Sequence, residues 1–341
     1  MYLNNFLGNK ELIKTIKSNA KASLMPHAII IEGPEGSGKN SLARYISLVL
    51  ACDNSPDVCM KCPPCRKILT ANSPDVIYAD LPEGKSQIGI DTVRFIRSDV
   101  YIKPNDNRYK LYIIKHADKM TTEAQNAFLK VLEEPPQYAV FILLCNSADS
   151  LLITVKSRCT VYTTERFDTN ILADYLIDTD EEAKDLFKKS PDAFRLAILL
   201  SKGSVGLAKY NISSDSASVN LKLYNAVVDL IMLLRKRASS YDILEHLSSL
   251  EQTKDYIDNY FSMLESALME IVAFKVSDAR VSEFFIDTEQ LDYICAGMSD
   301  TFILEAIDNI ENFRFMLTTN VGLQTSLMAI SSQLAVLRNK Y

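Results

Sequence analysis

Four short apolar runs punctuate the first half of the chain, at residues 28–31, 76–78, 111–114 and 140–144, and a less apolar one follows at residues 160–163. The runs are continuous rather than alternating and are rich in Ile, Val and Leu. Strands of that kind are buried on both faces, which predicts a parallel sheet covered by helices. Helical spacing fills the gaps: Leu42, Ala43, Ile46, Val49 and Leu50 share one face, as do Ala124, Ala127, Phe128, Val131 and Leu132. Thr122 and Gln125 have capping-box spacing, so the second of these helices is expected to start there and to stop at Pro135-Pro136. Alternating strand and helix over residues 1–165 predicts an α/β domain.

After Phe167 the strand-like runs cease. Ile171, Ala173, Tyr175 and Leu176, then Ala193, Leu196, Ala197 and Leu200, predict a small helical unit closed by Gly203 and Gly206. The polar stretch 211–218 reads as a linker. From Leu221 onward the spacing is helical throughout, as in Leu223, Ala226, Val227, Leu230, Ile231 and Leu234, and again in Leu323, Leu327, Ile330, Leu334 and Leu337. The expected division is an α/β domain over 1–165, a small all-α domain over 166–209 and a larger all-α domain over 210–341.

Composition narrows the function classes. With 341 residues, 48% apolar and 23% charged, and only 10 Gly and 11 Pro, the chain is neither disordered nor fibrous. A net charge of -6 argues against a protein that coats nucleic acid over its whole surface. The charge is uneven, +3 over residues 1–165 and -9 over the remainder, so the helical half suits protein contact better than phosphate binding. Lys10, Glu11, Lys14 and Lys17 leave residues 1–22 without a signal-peptide apolar core, and no apolar run reaches the ~18 residues of a membrane span. A cytoplasmic protein with no membrane partner is expected, its seven cysteines reduced.

Three clusters carry candidate chemistry. Gly33-Pro34-Glu35-Gly36-Ser37-Gly38-Lys39 follows the first strand and opens a helix, the context of a P-loop. There Gly33, Gly36 and Gly38 let backbone N–H groups face phosphate oxygens and Lys39 reaches the terminal phosphates. The next residue is Asn40, where a hydroxyl would hold magnesium, so ATP binding in this site is weakened. The 111–114 run ends in Lys115-His116, where an ATPase of this type carries Asp-Glu to anchor magnesium and orient water. A cation repels the metal, Asp118 lies beyond the strand and is no obvious substitute, and His116 reads as a surface loop residue. Hydrolysis in this chain's own site is not expected.

Cys52, Cys59, Cys62 and Cys65 supply four thiolates within a short segment, a donor set for a tetrahedral structural zinc with no open position. That closure disfavours a zinc-dependent enzyme. Pro56, Pro63 and Pro64 are expected to keep the intervening chain out of regular helix. The third cluster, Ser157-Arg158-Cys159, precedes the last strand, and its residues alone make Arg158 a solvated loop arginine.

Taken in order, these pieces resemble the delta-prime class of bacterial DNA polymerase III clamp-loader subunits, in the AAA+ family. The resemblance runs along the whole chain: Pro26-His27-Ala28, the P-loop, the four cysteines, Lys119-Met120-Thr121, the segment from Asn126 through Leu132-Glu133-Glu134-Pro135-Pro136, and Ser157-Arg158-Cys159. It implies a RecA-like AAA+ domain with a five-stranded parallel sheet over 1–165, carrying a zinc insert at 52–65. A helical lid over 166–209 and a helical collar over 210–341 would follow, the collar serving ring assembly. It also implies that Arg158, within the Ser157–Cys159 motif, enters the ATP site of an adjacent motor subunit. Partners implied are the motor subunits and the delta subunit, through collar and AAA+ faces, the sliding clamp, and primed DNA through the assembled complex. Motor subunits share the cysteines and the Ser-Arg-Cys motif. They require Ser or Thr at 40, acids at 115 and 116, and an arginine in the Gly203–Gly206 segment, and the four departures here imply a largely inactive stator. The alternative is an ATP-hydrolysing motor of the same loader.

Overall fold

The structure is a computed structural model that describes residues 9–82, 84–276, 282, 284–317 and 322–340, so the N-terminal reading falls outside it for residues 1–8. The chain forms two compact units, one of residues 1–168 with 203–207, the other of residues 169–202 with 208–341.

In the first unit, α1 (Lys10–Ala22) leads into β1 (Ala28–Glu32), followed by α2 (Lys39–Ala51), α3 (Pro63–Leu69), β2 (Val76–Ala79), α4 (Ile90–Asp99) and β3 (Lys110–Ile114). Then come α5 (Thr122–Glu133), β4 (Ala139–Cys145), the single turn α6 (Ile153–Lys156) and β5 (Thr160–Thr163). All five apolar runs are strands of one parallel sheet, in the order β2-β3-β4-β1-β5. The central strands are apolar on both sides because both faces are covered. Ala28, Ile30, Tyr112, Ile114, Phe141 and Leu143 pack toward α4, α5 and α6, while Ile29, Ile31, Leu111, Ile113, Val140 and Ile142 pack toward α1, α2 and α3. Phe141 stacks on Tyr112 and receives Phe128 edge-on, each at 5.3 Å between ring centroids. Such pairs add about 0.5–1.5 kcal/mol beyond the area they bury.

Two local expectations change. Thr121, not Thr122, caps α5: its side chain accepts the Ala124 N–H at 3.2 Å, and Gln125 is turned inward instead of closing a capping box. Pro63 and Pro64 do not keep the chain out of helix. They occupy the first turn of α3, where a missing N–H costs nothing and the fixed φ already suits a helix.

The second unit holds α7 (Thr169–Thr179), α8 (Glu181–Lys189), α9 (Pro191–Leu200), most of α10 (Val205–Ile212), α11 (Ser214–Arg235) and α12 (Ser240–Ser248). It continues with α13 (Lys254–Val276), α14 (Thr288–Gly297), α15 (Asp300–Leu317) and α16 (Leu323–Lys340). The second unit is therefore all helix among the described residues. The stretch 211–218 is not an extended linker: α10 runs to Ile212 and α11 starts at Ser214, one residue between them. Gly206 likewise lies within the first turn of α10 rather than closing a unit. The core is built on Tyr260, Phe261, Phe285, Phe302 and Phe313, with the repeated leucines and isoleucines of α11, α13 and α16 around them.

Residues 215–235 form the one described helix long and apolar enough, by length and composition, to cross a membrane. Its Val227, Leu230, Ile231 and Leu234 are buried against other helices of the unit, as in a core helix. Arg338 of α16 is also buried, donating to the Leu234 carbonyl at 2.8 Å and to the Gly297 carbonyl at 2.5 Å. It thus satisfies carbonyls at the C-terminal ends of α11 and α14, where helix dipoles favour a cation.

Candidate functional site

The P-loop leaves β1 at the carboxyl edge of the sheet, beside the end of β4, where open parallel sheets place ligands. Gly36 and Gly38 hold φ of 72° and 89°, a region that glycine enters without strain. A Cβ on Gly33 would collide with Thr164, whose hydroxyl instead bonds Ser37 at 2.9 Å. Positions 33, 36 and 38 therefore each favour glycine.

Its lysine, however, is turned inward. Lys39 Nζ donates to the Gly33 carbonyl at 2.5 Å, to the Pro34 carbonyl at 2.8 Å and to Asn146 Oδ1 at 3.2 Å. An ammonium has three donors, and these contacts use all of them. Burial lowers the Lys39 pKa, and the charges of Cys145, Asp118 and Glu35 act the other way.

The end of β3 departs further from an ATPase. Lys115 Nζ pairs with Asp80 Oδ2 at 2.9 Å and lies over the Tyr78 ring, both on the β2 side. His116 takes a left-handed backbone, φ 51°, and is half exposed, as expected of a loop residue. Asp118 lies in the following 3-10 turn, Ala117–Lys119, and its charge bears on both Lys39 and Cys145. Its position beyond the strand argues against a role at the loop, but the turn brings its charge to bear on Lys39.

Gly206 lies against the P-loop itself. Its N–H donates to the Gly36 carbonyl at 3.0 Å, and Ser204 Oγ donates to the Glu35 carbonyl at 3.1 Å. A Cβ at position 206 would stand 2.8 Å from both Gly36 Cα and Gly36 O, so no side chain fits there without moving the loop.

The four cysteines come together. Cys52 ends α2, Cys59 lies in the intervening loop, Cys62 caps α3 and Cys65 sits in its first turn. Their sulfurs all lie within 4.8 Å of one another. The Cys59 N–H points at Cys52 Sγ from 3.3 Å and the Cys62 N–H at Cys59 Sγ from 3.4 Å, contacts that favour thiolate. Backbone N–H groups of Lys61 and Cys62 hold the Cys59 thiol down at about 6. Burial pushes Cys52 and Cys65 up. A bound cation would relieve that cost, and the donor set fits a metal ion with four sulfur ligands.

Arg158 follows α6 and is about one-third exposed. Its Nη2 meets Glu133 Oε1 at 2.8 Å, and its Nη1 donates to the Thr154 carbonyl at 2.9 Å. Behind it, Cys159, Leu151 and Val155 pack into the core with Phe128. Gln125, nearly fully buried, donates to the Met120 carbonyl and accepts the Leu152 N–H at 2.7 Å, fastening the start of α6 to α5.

The chain is similar to several known proteins. Residues 8–168 match the family described as DNA polymerase III, delta subunit. The chain is 34% identical over 164 residues to DNA polymerase III subunit tau of Bacillus subtilis, covering 48% of this chain and 28% of that protein. It is 27% identical over 307 residues to DNA polymerase III subunit delta' of Yersinia pestis, covering 89% of this chain and 86% of that one. A DNA polymerase III gamma subunit-related protein of Thermotoga maritima, of known structure, shares 21% identity over 96% of this chain and 98% of its own, with a TM-score of 0.44. The chain thus spans little more than a quarter of the tau protein but most of the delta' protein.

Proposed function

We propose that this chain, similar to DNA polymerase III delta and delta' subunits, is the delta-prime-type member of a clamp loader, a stator that hydrolyses little or no ATP itself. The observation that carries this reading is the end of β3, where Lys115 and His116 stand in place of two acids and Lys115 is committed to Asp80. The inward Lys39 and the Gly206 contact support it, since an arginine sensing nucleotide from position 206 would collide with the loop. On this reading the AAA+ domain (1–165) lies within the first unit, the collar (210–341) and most of the lid (166–209) fall in the second, with residues 166–168 and 203–207 of the lid in the first, and the protein works in the cytoplasm. Its partners are the motor and delta subunits and, through the assembled loader, the sliding clamp and primed DNA. The ion held by Cys52, Cys59, Cys62 and Cys65 is zinc, in a structural role suited to four thiolates.

Arg158 then acts in trans, placing a guanidinium against the phosphates bound by a neighbouring motor. Negative charge spreads over the phosphoryl oxygens in the transition state, and losing such a finger costs about 10³ to 10⁵ in rate at the site it serves. A loader assembled with Arg158→Ala should keep its composition and zinc yet lose part of its clamp- and DNA-stimulated hydrolysis. Arg158→Lys should rescue poorly, because an ammonium lacks the planar fork. Clamp loading at the native rate by the Arg158→Ala loader would reject the assignment.

A second reading, the ATP-hydrolysing motor, draws on the identity with tau and on Asp118, an acid close enough to act on Lys39. Under it, Lys39→Ala in this chain alone would abolish that subunit's share of turnover.

A further inference from the structure

We propose that Glu133 is a positioning residue for Arg158, aiming its guanidinium out of the first unit toward a neighbour's nucleotide. The inference rests on the trans reading of Arg158 and adds the group that makes it effective.

Arginine at this place has a fixing problem. Arg158 follows a helix of a single turn, its side chain is one-third exposed, and a guanidinium on a long flexible stem samples many rotamers. Three acceptors gather it: the Thr154 carbonyl at 2.9 Å and Ser157 Oγ at 3.4 Å from Nη1, and Glu133 Oε1 at 2.8 Å from Nη2. These contacts take three of the five N–H donors, leaving Nε–H and the second Nη2–H without a described partner. Thr154 and Ser157 belong to the same short segment as Arg158 and move with it. Glu133 alone ties the guanidinium to a different element.

That element is well anchored. Pro135 and Pro136 end α5 just beyond Glu133, the His27 ring nitrogen lies 3.2 Å from the Leu132 carbonyl, and Gln125 joins α5 to the start of α6. Glu133 is therefore held in place on its own account.

A carboxylate in the last turn of a helix faces the negative end of the helix dipole, so α5 gains nothing from it. Nor does the fold gain much, since an ion pair with side chains 36% and 49% exposed contributes little stability. What the pair does is restrict the rotamers of Arg158, and small misplacements of a charge-stabilising group are costly in rate.

The test uses loaders assembled from this chain and its partner subunits, supplied with ATP, sliding clamp and primed DNA. The quantity read is the part of stimulated turnover that Arg158→Ala removes. Glu133→Ala should lower that part by roughly ten-fold, acting on kcat with KM for ATP little changed, while the thermal midpoint of the free chain stays level or rises slightly. Glu133→Gln, which keeps an acceptor oxygen, should recover most of the loss. In the Arg158→Ala background Glu133→Ala should have no further effect. If Arg158→Ala lowers turnover and Glu133→Ala does not, the positioning role is wrong and the finger stands. An equal loss from Glu133→Ala with or without Arg158 would also overturn the role, by showing that Glu133 acts elsewhere. If Arg158→Ala itself changes nothing, the finger and its positioning residue fall together.

Discussion

His246 shows how a single buried ring makes stability depend on pH. It lies on α12, its Nε2 3.0 Å from the Tyr260 hydroxyl, which in turn donates to the Ala226 carbonyl at 3.2 Å. Burial lowers its pKa from 6.5, and Asp229 with the Ala226 backbone offsets only part of that. Below 6.5 the unfolded chain therefore binds this proton more readily than the folded chain does. The stability linked to His246 is complete above 6.5 and is lost as pH falls through the folded value. His246→Gln should flatten the acid limb of a plot of denaturant midpoint against pH, with little change at pH 8. An unchanged acid limb would show that carboxylates alone set it.

At the scale of elements, the four-cysteine segment is where local structure and metal binding are coupled. Its sulfurs converge only because Cys52 ends α2 while Cys62 and Cys65 sit at the start of α3. Cys62→Ala with Cys65→Ala should abolish zinc by elemental analysis and expose residues 52–70 to protease, with the sheet left folded. Zinc retained by the double variant would place the metal elsewhere. The strands were legible because a buried parallel sheet writes itself as apolar runs, and the cysteines because their spacing is local. Helix boundaries were harder. Thr121 and Thr122 both suit a cap, and only Gln125, drawn inward to the Met120 carbonyl and the Leu152 N–H, settles which one serves. The stretch 211–218 looks like a loop because it is rich in Ser and Asn, yet Asn211 is buried in helix with its side chain donating to the Ala197 carbonyl at 3.4 Å. Lys110 and Asp75 gave no signal at all. Lys110 sits buried in β3 because Asp99 meets it at 2.9 Å, and Asp75 because it accepts three N–H groups from residues 105–107. Buried charges are specified by partners distant in sequence, which no window of residues reveals.

Across the whole molecule, the departures from an ATPase are far apart along the chain yet all fall in the first unit. Asn40 lies in the first turn of α2, Lys115 and His116 follow β3, and Gly206 comes only after α7, α8 and α9. Their effects are not independent. Restoring acids at 115 and 116 would supply a place for magnesium, but Lys39 would still have its three donors committed to Gly33, Pro34 and Asn146. Position 206 would still admit no arginine, because any Cβ there meets Gly36 at 2.8 Å. The isolated chain should accordingly show negligible magnesium-dependent ATP turnover, and so should the triple variant Asn40→Thr, Lys115→Asp, His116→Glu. If the triple variant gains turnover that Lys39→Ala then abolishes, the inward lysine is only a resting position that a nucleotide can displace. The three substituted positions alone would then separate this chain from a working motor.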